Sequence, residues 1–318
     1  MSRQLRSMNG VLTLNPNAGS MTDALLDELR ALAEEHDLET FMAEGADALE
    51  ARVVQAVGEG CPLVVAGGGD GTVHAVASVL LTEATRQSAA CPTLGVVPLG
   101  TGNDLARTLG LALVPTEALT QVLSGDTRAL DVLAVDVGET RRYAVNVAAG
   151  GFAGLVDEQL DPDTKRRLGP LAYLTAGVAA VRELEGHDVS FEIDDLRITE
   201  RVVNIVVANA RTCGGGVLVA PAADPEDGLL DLVLVTEGSL LELAEVAASL
   251  RLGRVLSSSR VIHAVGRSVT LTGADGVLFN LDGELLDESP SRFTVCRRAL
   301  PVRVGPGYKR ERWTLPPD

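Results

Sequence analysis

The sequence predicts an α/β domain followed by a β-rich domain. Its 318 residues are too many for one ordinary hydrophobic core. Before residue 127, buried strand patterns alternate with helical patterns, and glycine-containing loops follow the strands. From about Thr127 onward, period-two strand patterns are joined by short turns. The change from alternating strand and helix patterns to strand patterns joined by short turns indicates a second, mostly antiparallel domain, such as a sandwich.

The α/β part contains four strand patterns, each followed by a helical pattern. The strands are expected at 11–14, 39–42, 63–66 and 93–98, and the helices from about 20–23, at 46–58, after 72 and at 105–109. Alternation of this kind predicts a parallel sheet with helices on both faces. Ligands of such sheets bind at the carboxyl ends of the strands, where the loops lie.

The β-rich part contains short strand patterns and two helical stretches. Strands are expected at 130–137, 142–147, 189–193, 197–200, 202–208, 229–235, 268–271 and 292–295, and helices at 168–184 and 239–252. No low-complexity linker separates the two parts. We therefore expect two closely joined domains with a cleft between them.

The third strand ends in three glycines, 67–69, followed by Asp70, Gly71 and Thr72. Glycines let backbone amides approach a phosphate, and the next helix directs its partly positive end toward the same point. A carboxylate beside phosphate suggests transfer chemistry, because it holds a cation, orients a hydroxyl or takes a proton. The alternative is a sharp turn whose helix is capped by Asp70 or Thr72.

A second glycine loop, at 100–106, loosely matches the dinucleotide pattern G-x-G-x-x-A, which would indicate an oxidoreductase. Pro98 lies between the strand and this loop, and no acidic residue closes the next strand as that fingerprint expects. Neither glycine loop matches a P-loop, because no lysine is near.

Composition excludes several classes of partner and location. The net charge of −17 and the aromatic content of 3% argue against nucleic acid. The four cysteines are widely separated, which argues against disulfides and cysteine-ligated metals. No signal peptide or membrane-spanning run is present, so we expect a cytoplasmic protein, with peripheral contact at the inner membrane face left open.

Three short loop segments stand at 15–19, 68–72 and 98–107, and further short motifs follow at 146–151, 168–173, 214–216, 221, 227–231 and 282–284. Together these segments resemble the signature loops of the diacylglycerol kinase catalytic domain, in the form found in soluble bacterial lipid kinases. The resemblance covers almost the whole chain in the family's order. It implies an N-terminal NAD-kinase-like, Rossmann-like α/β domain at 1–128, to which 297–318 returns, and a C-terminal β-sandwich domain at 129–296.

The resemblance also implies ATP as co-substrate and Mg2+ as cofactor. The positions that match nucleotide contacts are Asn15, Thr40, Gly68, Gly69, Asp70, Gly71, Thr72, Gly100, Thr101, Asn103 and Asp104. Asp227, with the backbone at Asp224 and Leu229, matches a Mg2+ site described as structural or regulatory. On the pattern alone, Asp227-Gly228 is first of all a turn.

Two carboxylates are the predicted catalytic residues. Glu284, in Asp282-Gly283-Glu284, matches the family's proposed general base, while Asp70 would bind the metal ion. Phosphoryl transfer needs such a metal and a carboxylate that orients or deprotonates the acceptor hydroxyl. Without the resemblance, 282–284 is interpreted as a β-turn.

We therefore expect an ATP- and Mg2+-dependent kinase of a lipid hydroxyl, with diacylglycerol as the first candidate and phosphatidic acid as product. His74-Ala75 stand where the family commonly has Asn-Glu. This departure leaves open a nucleotide-binding regulator without turnover, and a NAD-kinase-like enzyme with a soluble acceptor is the other alternative. A homodimer is also left open. The helix at 168–184, after Lys165-Arg166-Arg167, is either core packing or a contact with an anionic bilayer.

Overall fold

The computed structural model describes residues 9–151 and 186–308. They form two compact units, 9–129 with 300–308, and 130–151 with 186–299. The expected helix at 168–184 and the basic residues before it lie outside the described residues.

The first unit is a parallel sheet with helices between its strands. Its elements are β1 (Gly10–Leu14), α1 (Asp23–Glu35), β2 (Leu38–Met42), α2 (Ala46–Gly58), β3 (Leu63–Gly68), α3 (Asp70–Gln87), β4 (Thr93–Pro98), α4 (Asp104–Thr108) and α5 (Pro115–Ser124). The strand order is β4-β3-β1-β2, and every neighbouring pair is parallel. Val302, in the returning segment, pairs in parallel with Leu94 of β4.

The central strands of this sheet are buried along their whole length, as expected when helices cover both faces. Helix α1 begins at Asp23 because the side chain of Thr22 accepts a hydrogen bond from the amide of Leu25. Its buried residues Leu29 and Ala33 lie one helical turn apart and face the core. The carboxyl ends of β1, β3 and β4 consequently lie side by side, each followed by a loop.

The second unit is mainly antiparallel. Its elements are β5 (Thr127–Val137), β6 (Thr140–Ala144), β7 (Val147–Gly151), β8 (His187–Ile193), β9 (Leu196–Ala208), β10 (Thr212–Cys213), β11 (Val217–Leu218), β12 (Leu230–Thr236), α6 (Leu240–Arg251), a 3-10 helix (Val255–Ser257), β13 (Val261–Gly266), β14 (Ser268–Thr272), β15 (Phe279–Leu281), β16 (Glu284–Leu285) and β17 (Arg292–Arg303). Strand β9 pairs with three other strands of this unit. Its first half pairs with β8, and its second half pairs with β7 and β12.

Two of the expected strand divisions are wrong, and the strand expected at 292–295 continues to Arg303. The patterns at 197–200 and 202–208 form one strand, β9, because Glu200 and Arg201 are exposed without leaving the ladder. The pattern at 142–147 divides into β6 and β7, because the amides of Val145 and Asn146 turn toward the carboxylate of Asp282.

The core of the second unit is built around three fully buried phenylalanines, Phe191, Phe279 and Phe293. The rings of Phe279 and Phe293 lie 6.1 Å apart and are tilted by 42°, a favourable aromatic arrangement. Gly150 lies against Phe279, and a Cβ there would come within 2.5 Å of the ring. Within the described ranges, no helix is long and apolar enough to cross a bilayer.

Candidate active site

Three loops of the first unit are joined by backbone hydrogen bonds just beyond the strand ends. The amide of Asn15 donates to the carbonyl of Gly67 (2.9 Å), and the amide of Leu99 donates to that of Gly68 (2.9 Å). Ser20 donates to the carbonyl of Leu99 through both its amide (3.2 Å) and its hydroxyl (3.0 Å). The three loops singled out in the sequence therefore form one connected surface.

Asn15 and Thr72 meet within this surface. The side-chain amide of Asn15 donates to the Thr72 hydroxyl oxygen over 3.3 Å, while its Oδ1 accepts from the amide of Asn17 over 2.9 Å. Gly68 is required beside them, because a Cβ there would lie 2.4 Å from the Cβ of Thr72. Two of the predicted nucleotide contacts, Asn15 and Thr72, thus hold each other across the first and second loops.

Asp70 links the second loop to the third. Gly69 is the N-cap of α3, and Asp70 is the first helical residue, so its side chain does not cap its own helix. Instead, Oδ2 accepts from the amide of Asn103 (2.8 Å) and Oδ1 from the amide of Asp104 (2.7 Å). The first amides of a helix have no hydrogen-bond acceptor within that helix. Asp70, at the start of α3, therefore supplies acceptors for the amides of Asn103 and Asp104 at the start of α4.

Asn103 completes the link from the other side. It is the N-cap of α4 and has a left-handed backbone with φ of +53°, a conformation that asparagine tolerates better than most residues. Its side chain accepts from the amide of Gly100 (3.0 Å) and donates to the carbonyl of Gly100 (2.8 Å). The predicted contact residues Gly100, Asn103 and Asp104 are therefore brought together with Asp70.

The glycines of these loops fall into two groups. A Cβ on Gly100 would lie 2.5 Å from the Cα of Gly69, and one on Gly102 would lie 2.4 Å from Oδ2 of Asp70. These glycines allow the loops to touch. A Cβ on Gly71 would meet nothing within 4 Å, so Gly71 borders open space at the start of α3. The amides there have no acceptor within the helix, and anions bind readily at such a place.

The remaining predicted residues of the first unit are more scattered. Thr101 is exposed, while Asp104 is buried at 5% exposure. Thr40 lies in the edge strand β2, paired with Leu12, and takes no part in the loop-to-loop hydrogen bonds described above. His74 is buried in α3, where its Nε2 lies 3.4 Å from the Ser78 hydroxyl.

The turn 282–284 lies between β15 and β16 in the second unit, as the pattern alone indicated. Its two carboxylates differ. Asp282, at φ +50°, accepts from the amides of Val145 (2.7 Å), Asn146 (3.0 Å) and Val147 (2.8 Å). Glu284 is half-exposed, and its Oε1 lies 3.3 Å from Nη1 of Arg142. Asp282 therefore anchors the turn, whereas Glu284 is accessible.

The predicted metal residues form a tight loop. Oδ1 of Asp224 accepts from the amide of Glu226 (3.0 Å), and Oδ1 of Asp227 accepts from the amide of Leu229 (2.8 Å). The amide of Asp227 lies 3.3 Å from the carbonyl of Asp224. Carboxylate and carbonyl oxygens are the hard ligands that Mg2+ prefers.

The donor set therefore fits a hard cation chemically, provided that backbone carbonyls take part. No group of three or more His, Cys, Asp or Glu side chains suited to a metal ion occurs among residues 9–151 and 186–308. The Asp227 carboxylate would thus be completed by backbone oxygens, such as those at Asp224 and Leu229, and by water.

Asp131 is a residue of this region that the sequence analysis did not single out. It is fully buried in β5, and its carboxylate accepts from the amides of Gly228 (2.6 Å) and Arg298 (2.7 Å). Its own amide donates to the carbonyl of Pro225 (2.7 Å). Asp131 thereby holds the predicted metal loop from two sides. The available signal was a carboxylate inside an otherwise apolar strand pattern, which needs buried partners.

Comparison with known proteins identifies the family to which the two domains belong. Residues 9–135 match the model of the diacylglycerol kinase catalytic domain, and residues 130–304 match that of the YegS C-terminal NAD kinase beta sandwich-like domain. A protein of Xanthomonas oryzae pv. oryzae named probable lipid kinase YegS-like is 35% identical over 282 residues, covering 87% of this chain and 85% of that protein. Its namesake in Pseudomonas aeruginosa is 32% identical over 255 residues, with 80% of each chain covered.

A solved structure shows the same fold at lower identity. The crystal structure of a putative diacylglycerol kinase from Bacillus anthracis str. Sterne covers 97% of this chain, and all of that chain is covered, with a TM-score of 0.77 at 20% identity. These findings confirm the predicted fold class, an α/β domain followed by a β-sandwich-like domain.

Fold and sequence together define a kinase of the lipid kinase class. The chain belongs to the YegS-like lipid kinase family, in which a diacylglycerol kinase catalytic domain precedes a YegS-type C-terminal domain. The family resemblance seen in the loops is thereby confirmed.

Proposed function

We propose that this lipid kinase transfers the γ-phosphoryl group of ATP to the hydroxyl of diacylglycerol and forms phosphatidic acid. The observation that carries the proposal is the connected loop surface of the first unit, in which Asp70 joins the start of α3 to that of α4. Its glycines let the loops touch, and Gly71 borders open space at the start of α3. Phosphoryl transfer depends mainly on such positioning of phosphates.

The phosphates of ATP would bind at the amino end of α3. This helix has 18 residues, and its partly positive end favours anions. The Thr72 hydroxyl, held by Asn15, adds a polar group at the same place. Arg107 lies nearby, since its Nε donates to the carbonyl of Gly102 over 3.1 Å.

The carboxylates of Asp70 and Asp104 would repel those phosphates in the absence of a cation. A bound Mg2+ would neutralise phosphate charge and orient the transferred group. Asp70 is the residue proposed to bind this ion. The loop with Asp224, Asp227 and Leu229 would hold a second Mg2+ ion with a structural or regulatory role. The chemistry of the oxygen donors supports both assignments.

Glu284 is proposed as the residue that orients the acceptor hydroxyl or takes its proton. Its carboxylate is half-exposed and lies beside Arg142, whereas Asp282 is engaged by three backbone amides. The turn therefore presents one carboxylate outward from a rigid base. Accessibility is what a group acting on an incoming hydroxyl requires.

The proposal is tested by transfer of labelled γ-phosphate from ATP into a mixed lipid extract in detergent micelles with Mg2+. We expect labelled phosphatidic acid from the wild type and a strong reduction with Asp70→Asn. A different labelled lipid would contradict diacylglycerol as the acceptor. Label in NAD would support a soluble acceptor, and ATP binding without any labelled product would support a regulator.

A further inference from the structure

Helix α6 of the second unit has apolar residues on two sides. On one side Val246 is 4% exposed and packs with Val203, Val235 and Val255, with Leu243 and Leu250 beside them. On the other side Leu240, Leu241 and Leu252 are 56%, 72% and 71% exposed. Exposed large apolar residues grouped on one side of a helix are uncommon on a protein surface, so this side needs an explanation.

The exposed residues form a continuous row. Leu241 and Leu252 are eleven positions apart, which is close to three helical turns, so they point the same way about 17 Å from each other. Ala244 and Ala248 are exposed between them. We call the set Leu240, Leu241, Ala244, Ala248 and Leu252 the α6 strip.

The charges around the α6 strip are unequal at its two ends. Arg251 and Arg254 are exposed on either side of Leu252. Near the other end Glu242 is bound by Arg260, whose Nε donates to it over 2.9 Å, and that contact lowers the pKa of Glu242 to about 2. Glu245 is the exposed acid of the helix. The end at Leu252 is therefore locally basic in a chain whose net charge is −17.

We propose that the α6 strip docks on the surface of an anionic phospholipid bilayer. The leucines would enter the boundary between headgroups and acyl chains, while Arg251 and Arg254 contact lipid phosphates. The inference rests on the proposed function, because a diacylglycerol with long acyl chains stays in the bilayer and the kinase must approach it there.

The first experiment is co-sedimentation with vesicles of equal parts phosphatidylethanolamine and phosphatidylglycerol at low salt. We expect Leu241→Ser with Leu252→Ser to weaken vesicle binding by about tenfold or more, and Arg251→Ala with Arg254→Ala to abolish its dependence on phosphatidylglycerol. Leu196→Ser is the matched control, because Leu196 is 53% exposed in a different part of the same unit. It should bind as the wild type does.

Activity separates this proposal from the proposed function. With a short-chain diacylglycerol that dissolves as monomers, the double leucine variant should match the wild type, whereas long-chain diacylglycerol in vesicles should be phosphorylated about tenfold more slowly. If the wild type phosphorylates neither substrate, the proposed function fails while vesicle binding still tests docking. Unchanged vesicle binding by the double variant would overturn the proposal. So would a wild-type dimer that the leucine changes dissociate.

Discussion

The carboxylate of Asp70 accepts a 2.8 Å hydrogen bond from the backbone amide of Asn103, 33 positions later in the chain. Its second oxygen accepts from the amide of Asp104 over 2.7 Å. Asp70 is therefore part of the scaffold of the loops, besides the role toward a metal that we propose for it. A change at this position acts on both.

Asp70→Asn tests the scaffold role through stability. Asparagine offers one acceptor oxygen and places its NH2 group against the other amide, so one of the two hydrogen bonds is lost. We expect the free energy of unfolding to fall by about 1–3 kcal/mol and turnover to fall by about 10²-fold. Urea denaturation and the phosphoryl-transfer assay measure the two effects.

The control is Asp47→Asn, because Asp47 is an exposed acidic residue in the first turn of α2. It should change neither quantity appreciably. Wild-type stability in Asp70→Asn would contradict the scaffold role, and wild-type turnover would contradict its role in the reaction.

Glu284→Gln should separate catalysis from stability. Its ion pair with Arg142 is about half-exposed, and such pairs contribute little to stability. We expect the free energy of unfolding to change by less than about 0.5 kcal/mol while turnover falls by about 10²-fold. Stopped assays and urea titrations of the same preparation give both values. Full activity would exclude Glu284 as the general base.

Asp282→Asn, in contrast to Glu284→Gln, should lower the free energy of unfolding. The carboxylate of Asp282 accepts from three consecutive amides, 145–147, and asparagine cannot retain all of these contacts. We expect a loss of about 1–3 kcal/mol in the free energy of unfolding. Hydrogen exchange of the amides at 145–147 should become faster. Unchanged protection there would contradict the anchoring role.

Asp131→Asn tests whether the loop 224–229 holds a cation. Asp131 fixes this loop through the amide of Gly228 without being one of the predicted ligands. Losing such a support typically weakens metal binding by about 10- to 100-fold. Calorimetric titration with Mg2+ or Mn2+ measures this, and Asp136→Asn, in the same strand but beside Arg141 at the surface, is the control. Equal affinity in both variants would contradict the site.

The cysteines give a prediction about pH. Burial raises the pKa of Cys91 to about 11 and also raises the pKa values of Cys61 and Cys296 above their usual range. Because the thiolate is the reactive form, we expect slow alkylation of Cys91 at neutral pH and a steep increase toward pH 11. Mass spectrometry after iodoacetamide treatment locates the label, and protein unfolded in urea provides the fast reference.

The raised pKa of Cys91 also makes the free energy of unfolding depend on pH, because the folded and unfolded states release the thiol proton at different pH values. The pKa of Cys91 is higher in the folded state than the ordinary value of 9.0, so its neutral form stabilises the fold fully below pH 9. That contribution is lost as the pH rises through about 11. Rapid alkylation of Cys91 in the folded protein at neutral pH would contradict its burial.

The sequence by itself determined the elements that local pattern dictates. Helix α2 and strand β4 have the bounds expected from the sequence, 46–58 and 93–98. Periodicity and flanking glycine or proline residues are properties of adjacent positions, so they require no knowledge of the rest of the chain. The family was likewise recognisable from short loops in a constant order.

Only the tertiary structure decided what the carboxylates do. Asp70 binds a loop 33 positions away, Asp282 binds amides at least 135 positions away, and Asp131 binds the amide of Arg298 across 167 positions. The boundaries of β7 and β9 depended on similar contacts. A buried carboxylate must find hydrogen-bond donors, and which donors reach it is set by how distant segments pack together.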